Sequence, residues 1–241
     1  MNPNSPVIEI QTLVRRYGKH DAVNGLSLTV SPGKCYGFFG RNGAGKTTTI
    51  KCLLNLLRPD SGTVRVFGLA PHKDEVAIKS RLAYVPDMVA FYPWMTVGDT
   101  LGYLASFRTR WNRDLEADLL RRFQLDSTKK TSSLSKGQRT QLALIGAICP
   151  EPELLVLDEP TSGLDRVTAR EIDDLLLKVK EKGKTTMVIV THDSGGARRV
   201  GDRVAVLDHG EILGLGTIQE LENSQNELVR ALVSEEVSYA H

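Results

Sequence analysis

The chain has 241 residues, of which 41% are hydrophobic and 25% are charged, and its formal net charge is only +2. This length can bury a full core, either as one large domain or as one domain with an inserted lobe. So small an excess of positive charge gives no electrostatic reason to expect a nucleic-acid partner.

The first third of the chain has the pattern of strands. Val7 to Leu13 and Ala22 to Val30 alternate apolar with polar or small residues, which predicts a pair of antiparallel strands. Cys35 to Phe39 is a shorter apolar stretch, typical of a buried strand. We therefore expect an antiparallel β-subdomain followed by a strand of the core.

The segment after that buried strand matches a Walker A phosphate loop at every fixed position. Its glycines allow backbone N–H groups to point inward as an anion-binding nest, Lys46 reaches the β- and γ-phosphates, and the Thr47 hydroxyl can bind Mg²⁺. A Gly-rich turn between a strand and a helix is the alternative interpretation. We expect a nucleoside triphosphate to be held by Gly40, Asn42, Gly43, Gly45, Lys46, Thr47 and Thr48.

A helix is predicted directly after the phosphate loop, with its N-terminus facing the phosphates. Its apolar residues at helical spacing are Ile50, Leu53, Leu54 and Leu57.

The middle of the chain changes from strand patterns to helix patterns. Thr63 to Phe67 and Leu82 to Val85 predict two further short strands, the second ended by Pro86. From Met88 to about Pro150, leucines recur at helical spacing between many Arg and Lys residues. We interpret residues 88–150 as a helical lobe inserted into an α/β core.

Two apolar runs resume the core after this lobe. Leu154 to Leu157 and Thr186 to Val190 are predicted to be buried parallel strands. Asp158 and Glu159 follow the first strand and His192 follows the second, at the carboxyl ends where open α/β sheets bind their ligands.

These three side chains predict a hydrolytic site. Asp158 is the expected Mg²⁺ ligand, Glu159 is expected to polarise the water that attacks the γ-phosphate, and His192 suits a sensor of that phosphate. The alternatives are a simple strand-ending turn for the two acids and a purely structural role for the histidine.

The segment from Leu134 to Gln138 has the pattern of a helix start. Ser135 is the expected N-cap and Gln138 the third helical residue of a capping box, with a helix running to about Cys149. Lys136 is not explained by this pattern, since a cation in the first turn opposes the helix dipole unless an anion such as a phosphate binds there.

Taken together, these residues resemble the ATP-binding cassette (ABC) ATPases, the nucleotide-binding subunits of ABC transporters. The resemblance covers nearly the whole chain, and the motifs occur in that family's order: Tyr17 as the adenine-stacking aromatic, Gly40 to Thr48 as Walker A, Leu134 to Gln138 as the signature, Leu154 to Glu159 as Walker B, Ser162 to Asp165 as the D-loop, and His192 as the switch histidine.

The resemblance implies a fold of the α/β class with a P-loop NTPase core, an N-terminal antiparallel β-subdomain and the inserted helical lobe. It implies one ABC ATPase domain over residues 1–241, with a helical tail over about 217–241.

The resemblance also implies a mechanism that uses Mg²⁺ and ATP. Two cassettes, identical or merely related, would pair head to tail, so that Ser135 and Gly137 grip the γ-phosphate bound to the other copy. Asp165 would link the two sites, while Glu159 and His192 support hydrolysis. A separate membrane permease would be the third partner, and no nucleic acid is expected.

Three positions depart from the family's pattern, and one of them, Arg166 after the D-loop where proline is frequent, carries no expectation. Lys136 stands where the signature usually has glycine, and Asp87 stands where the family commonly has glutamine. A carboxylate at position 87 can still bind Mg²⁺ but cannot donate a hydrogen bond to the attacking water. We expect Asp87 to weaken hydrolysis or to change its coupling.

Within the family, the motifs look most like those of ABC-2-type exporters of drugs, peptides or antibiotics. The alternatives are a soluble ABC ATPase of an assembly or regulatory complex, and a nucleotide-dependent binding subunit with little turnover. The first six residues lack a signal-peptide pattern. No stretch of the sequence comes near the roughly 18 consecutive apolar residues that a membrane helix requires. We therefore expect a cytoplasmic subunit held at the inner face of the membrane by its permease.

Overall fold

A computed structural model of the chain describes residues 5–192 and 194–234. Its strands are β1 Ile8–Tyr17, β2 His20–Val30, β3 Cys35–Phe39, β4 Ser61–Val66, β5 Leu82–Val85, β6 Leu154–Asp158, β7 Thr186–Thr191, β8 Arg203–Asp208 and β9 Glu211–Gly216. Its helices are α1 Lys46–Leu53, α2 Glu75–Lys79, α3 Val97–Ser106, α4 Arg113–Arg122, α5 Lys136–Ile148, α6 Arg166–Glu181, α7 Ser194–Val200, α8 Ile218–Glu222 and α9 Glu227–Ser234.

These strands form two sheets. A six-stranded sheet has the order β5-β6-β7-β3-β8-β9, in which only the edge strand β9 is antiparallel to its neighbour. A three-stranded antiparallel sheet has the order β2-β1-β4. The predicted fold class is confirmed: an α/β core carries an antiparallel β-subdomain and a helical segment between β5 and β6.

The large sheet is buried on both faces because its strands alternate between two apolar layers. In β6, Leu154 and Val156 pack with the β-subdomain and α1, whereas Leu155 and Leu157 pack with the helical lobe and α6. Helix α5 joins the lobe to this second layer, since its Leu142 is fully buried.

The first helix is shorter than its apolar stripe predicts. It ends at Leu53, because Asn55 adopts a left-handed conformation (φ 59°) in a Schellman motif. The N–H groups of Asn55 and Leu56 donate to the carbonyls of Cys52 and Lys51. This turn places Leu57 beyond the helix.

Strands β8 and β9 were not predicted from the sequence. They form a two-residue hairpin in which Asp208 pairs with Glu211, and His209 and Gly210 both adopt positive φ, as a type I′ turn requires. The signal is an apolar run, Val204 to Leu207, followed by a turn with glycine at its second central position.

The predicted helical tail begins with α8 and α9, and its residues 235–241 lie outside the described residues. The domain boundaries given above remain predictions. No helix in the described ranges combines the length and the apolar character needed to cross a membrane.

The buried face of α5 gives a stability prediction. Leu142→Ala should lower the free energy of unfolding by about 2–5 kcal/mol, because a fully buried leucine leaves a cavity between lobe and core. Leu56→Ala is the matched control, since Leu56 is 55% exposed and should change stability by less than about 1 kcal/mol. Urea denaturation followed by circular dichroism measures both, and equal effects would contradict the packing described here.

Candidate functional site

Most of the predicted nucleotide residues line one open cavity of about 380 Å³ at the carboxyl ends of β3 and β6, whereas Gly40, Ser135 and Gly137 do not. Its wall combines the phosphate loop, both predicted acids, Asp87 and the aromatic Tyr17. The lining residues are Tyr17, His20, Ala22, Asn42, Gly43, Ala44, Gly45, Lys46, Thr47, Thr48, Asp87, Asp158 and Glu159.

The phosphate loop is confined by backbone on two sides. A Cβ atom on Gly40 would lie 2.2 Å from the carbonyl oxygen of Leu207, and one on Gly45 would lie 2.3 Å from that of Ala22. Gly45 also adopts a left-handed φ of 95°. Only glycine fits these positions, so the loop is fixed between β2 and β8.

Helix α1 begins at Lys46 with its first turn at the cavity. Its N-cap, Gly45, has no side chain to accept from the first N–H groups, and no acidic residue lies in the first turn. The N-terminal N–H groups and the helix dipole therefore favour an anion at this end.

Lys46 is the buried cation of the site, at 6% exposure. Its Nζ donates to the carbonyl oxygens of Gly40 at 2.6 Å and Arg41 at 3.1 Å, and lies 4.0 Å from Glu159 Oε1. Burial lowers the pKa of Lys46, while the charges of Glu159 and Asp158 oppose that shift. The lysine thus supports the loop and faces both carboxylates.

Asp158 is the last residue of β6 and is only 3% exposed. Burial raises its pKa, and the charge of Glu159 adds to this effect, while a long hydrogen bond of 3.4 Å from the Thr47 hydroxyl opposes it. Burial and the nearby Asp158 charge also raise the pKa of Tyr84 to about 12. The site therefore concentrates negative charge, and among its described lining residues Lys46 is the one lysine or arginine that opposes it.

The oxygen donors of this corner fit Mg²⁺. Thr47 supplies a hydroxyl and Asp158 a carboxylate, with the Asp87 carboxylate on the same cavity wall. No cluster of three or more His, Cys, Asp or Glu side chains with metal-binding geometry occurs in the part of the chain that the structure describes. Mg²⁺ is commonly bound by one or two carboxylates and completed by phosphate and water oxygens, and Asp158 and Asp87 supply two carboxylates here.

Glu159 is held in a strained, oriented position. Its φ of 51° lies in the left-handed region, which costs a non-glycine residue of order 1 kcal/mol or more, and its N–H donates to Val190 O at 2.8 Å. Its Oε2 lies 2.8 Å from His192 Nδ1 and accepts the His192 backbone N–H at 3.3 Å. One carboxylate oxygen thus faces Lys46 and the other faces His192.

The signature segment begins α5 with the expected capping box. Ser135 Oγ accepts the N–H of Gln138, whose side chain accepts the N–H of Ser135 in return. Lys136 donates from Nζ to the carbonyl oxygen of Ser162 at 2.6 Å. The D-loop thus supplies a partner for this lysine within the chain, and the phosphate expected at this helix end stays a prediction.

The D-loop is fixed by Asp165, which caps α6. Its carboxylate accepts the N–H groups of Val167 and Thr168 and the Thr168 hydroxyl. These hydrogen bonds, that of the Thr168 N–H foremost, lower the pKa of Asp165. Ser135, Gly137 and Asp165 do not line the phosphate cavity within the described residues. The predicted dimer roles of these three residues stay predictions.

Three residues near the cavity were not selected from the sequence. His20 pairs with Tyr17 across the tight β1–β2 turn, which brings it and Ala22 to the cavity wall. Tyr84 lies on β5, next to β6, and so approaches Asp158. The glycine at position 18 is a sequence signal for the turn that brings His20 to the cavity. The approach of Tyr84 to Asp158 has no such signal, because it depends on β5 and β6 being neighbours in the sheet.

Comparison with known proteins finds a matching family model and similar chains. A family model described as ABC transporter matches residues 23–162. The chain is 36% identical to a daunorubicin/doxorubicin resistance ATP-binding protein of Streptomyces peucetius, over 90% of this chain and 67% of that protein. It is 35% identical to a bacitracin transport ATP-binding protein of Enterococcus faecalis, over 89% and 70%. A solved ATP-binding subunit of an ABC transporter superposes with a TM-score of 0.82 at 25% identity, covering 90% of this chain and 92% of that one.

The position of Asp87 gives a prediction about metal dependence. Asp87→Gln should raise the Mg²⁺ concentration for half-maximal ATPase activity about tenfold, equivalent to about 1.4 kcal/mol, because a charged oxygen ligand is lost. At saturating Mg²⁺ the rate should rise, since an amide can donate to the attacking water. Asp87→Asn is the control, because it removes the charge without changing the length of the side chain. An unchanged rate and Mg²⁺ dependence in Asp87→Gln would contradict a role for Asp87.

Proposed function

This chain belongs to the family of ABC transporter ATPases, and we propose that it hydrolyses Mg²⁺-ATP as the nucleotide-binding subunit of an exporter. The observation that carries the proposal is the convergence of the phosphate loop, Asp158 and the Glu159–His192 pair on one cavity. The alternative is an ABC ATPase of an assembly or regulatory complex that has no permease.

The residues divide the work of hydrolysis by position. The α1 N-terminus and Lys46 bind the phosphates, Tyr17 stacks on the base, and Thr47, Asp158 and Asp87 would hold the metal ion. Mg²⁺, when bound, neutralises charge on the phosphate oxygens.

Glu159 accepts a proton from the attacking water, or polarises it, from its place at the cavity wall. His192 fixes the direction of that carboxylate through its ring nitrogen and its backbone N–H. The electrostatic part of catalysis therefore comes from groups that are already in position before ATP binds.

A head-to-tail dimer is part of the proposal. Ser135 and Gly137 lie at the start of α5, where the capping box leaves the helix N-terminus exposed, and they do not line the chain's own described phosphate cavity. A second copy, or a related cassette, would bring its signature to this cavity and complete the anion site. Asp165, at the adjacent D-loop, would then lie between the two sites.

An exposed aromatic face supports a further protein partner. We call Tyr92, Trp94, Tyr103 and Phe107 the aromatic face; all are exposed, with Trp94 and Phe107 each 67% exposed. Tyr92 contacts Trp94 and Tyr103, and Tyr103 contacts Phe107, at ring-centroid distances of 4.9 to 6.1 Å. Large exposed apolar patches mark interaction surfaces. We therefore take this face as the docking surface for the permease.

The names of the relatives support export as the direction of transport. Two of them are a drug-resistance ATP-binding protein and a bacitracin transport ATP-binding protein, which fits the ABC-2-type exporter proposed from the motifs. The chain would then work at the inner face of the membrane, held there by its permease.

Glu159 provides the test of catalysis. Glu159→Gln should reduce steady-state ATPase activity by at least about a hundredfold, because an amide cannot accept the proton, while ATP still binds. Phosphate release and binding of a fluorescent ATP analogue measure the two properties. Glu151→Gln, at an exposed position outside the ATP cavity, is the matched control. Equal rates in Glu159→Gln and the parent would remove the catalytic assignment.

The aromatic face provides the test of the transporter role. The Glu159→Gln protein, recovered from its own cells in mild detergent with Mg²⁺-ATP, should bring down a membrane protein with several spanning segments, identified by mass spectrometry. Adding Trp94→Glu should abolish this recovery, whereas Val76→Glu, at another exposed apolar residue, should not. Recovery of soluble partners alone would favour the assembly or regulatory alternative and overturn the exporter.

A further inference from the structure

We propose that the chain has a second ligand site, a cavity at the amino ends of β6 and β7 that binds an amphipathic anion, meaning a carboxylate or phosphate on an apolar body. We call it the basal cavity; its volume is about 490 Å³, within the range of small-molecule sites. Its walls come from α4, the segment 151–153, β6 and α6.

The floor of the basal cavity is apolar. Leu119 of α4, Leu155 of β6 and Leu175 of α6 are all buried and line it, with Ile148 and Val179 beside them. An apolar body placed here would leave water and contact both the helical lobe and the core. A small inorganic anion would not use this surface.

The rim of the basal cavity carries unpaired positive charge. Arg110, Lys178, Lys182 and Lys184 are exposed and form no ion pair with any residue in ranges 5–192 and 194–234. All four thus direct charge toward the opening without a carboxylate of their own.

Two of the three carboxylates in the described lining of the basal cavity, those of Glu153 and Asp118, form ion pairs with arginines outside it. Arg81 binds Glu153 through two nitrogens at 2.7 Å each, and Arg121 pairs with Asp118. Glu151 accepts a hydrogen bond from Asn112 at 3.1 Å. Glu151 keeps its negative charge because Asn112 is neutral, but the four unpaired cations outnumber it, so the rim is positive on balance and complementary to an anionic head.

The basal cavity is separate from the ATP site. The basal cavity lies at the amino ends of β6 and β7, whereas the phosphates are expected at the carboxyl ends of those strands. The five residues of β6 therefore place about 16 Å between the basal cavity and the ATP site. The two cavities share none of their lining residues within the described chain. Binding at one should not block the other.

Calorimetric titration of the full chain with laurate, below its micelle concentration, tests the proposal. We expect one laurate per chain, with an affinity unchanged by saturating ATP analogue, and no comparable binding of dodecyltrimethylammonium. Lys178→Glu with Lys182→Glu should weaken laurate binding at least about tenfold, because attraction becomes repulsion.

Arg170→Glu is the matched control, since Arg170 is also exposed on α6 and forms no ion pair in the described chain but lies outside the basal cavity. It should bind laurate like the parent. Circular dichroism and ATPase activity confirm that each variant is folded. Absence of laurate binding, equal binding of the cationic amphiphile, or equal binding by the double variant and the control would each overturn the proposal. Loss of laurate binding in the presence of the ATP analogue would also overturn it, by placing laurate in the ATP site.

Discussion

The alignment of three parallel strand ends is the constraint on which the site depends. In the order β6-β7-β3, Asp158 pairs with Val190 and Phe39 pairs with Thr191, so the three strands finish at the same edge. Asp158 ends β6, and the phosphate loop, Glu159 and His192 are the next residues after β3, β6 and β7. A shift of one strand by two residues would move its functional side chain by about 7 Å and separate groups that now lie within 4 Å.

The same edge brings together charges that do not balance. Asp158, Glu159 and Asp87 share the described cavity wall with one buried cation, Lys46, and burial raises the pKa of Asp158 while lowering that of Lys46. Each shift records a charged group that has lost water without gaining full compensation. The packing of the sheet holds these groups in place, so a ligand that brings both phosphate oxygens and a divalent cation would satisfy them with little rearrangement.

How much of this arrangement the sequence predicts depends on whether a contact is local. The phosphate loop, the capping box of Ser135 and the acids after β6 have patterns within a few residues, so spacing and strand period locate them. The end of α1 was missed because Asn55 takes a left-handed turn that apolar spacing does not reveal. Strands β8 and β9 were missed because the apolar run from Val204 to Leu207 fits either a strand or a buried helix segment, and only the turn at His209 and Gly210 distinguishes them. The partner of Lys136 depends on the packing of two segments that are 26 residues apart, which no local pattern contains.

The contact between Lys136 and Ser162 connects the signature to the D-loop, and the D-loop is in turn hydrogen-bonded to Glu159 of Walker B. Lys136 holds the Ser162 carbonyl, a Cβ on Gly137 would lie 3.0 Å from Thr168, and Asp165 caps the same turn of α6 through Thr168. Glycine at position 136, which the family usually has, could not make the first of these bonds. In the proposed dimer, a phosphate that draws the α5 N-terminus toward the opposite copy would therefore pull on Ser162. Since the N–H of Ser162 donates to the backbone carbonyl of Glu159, that pull would reach the backbone of Glu159 through two hydrogen bonds within one chain.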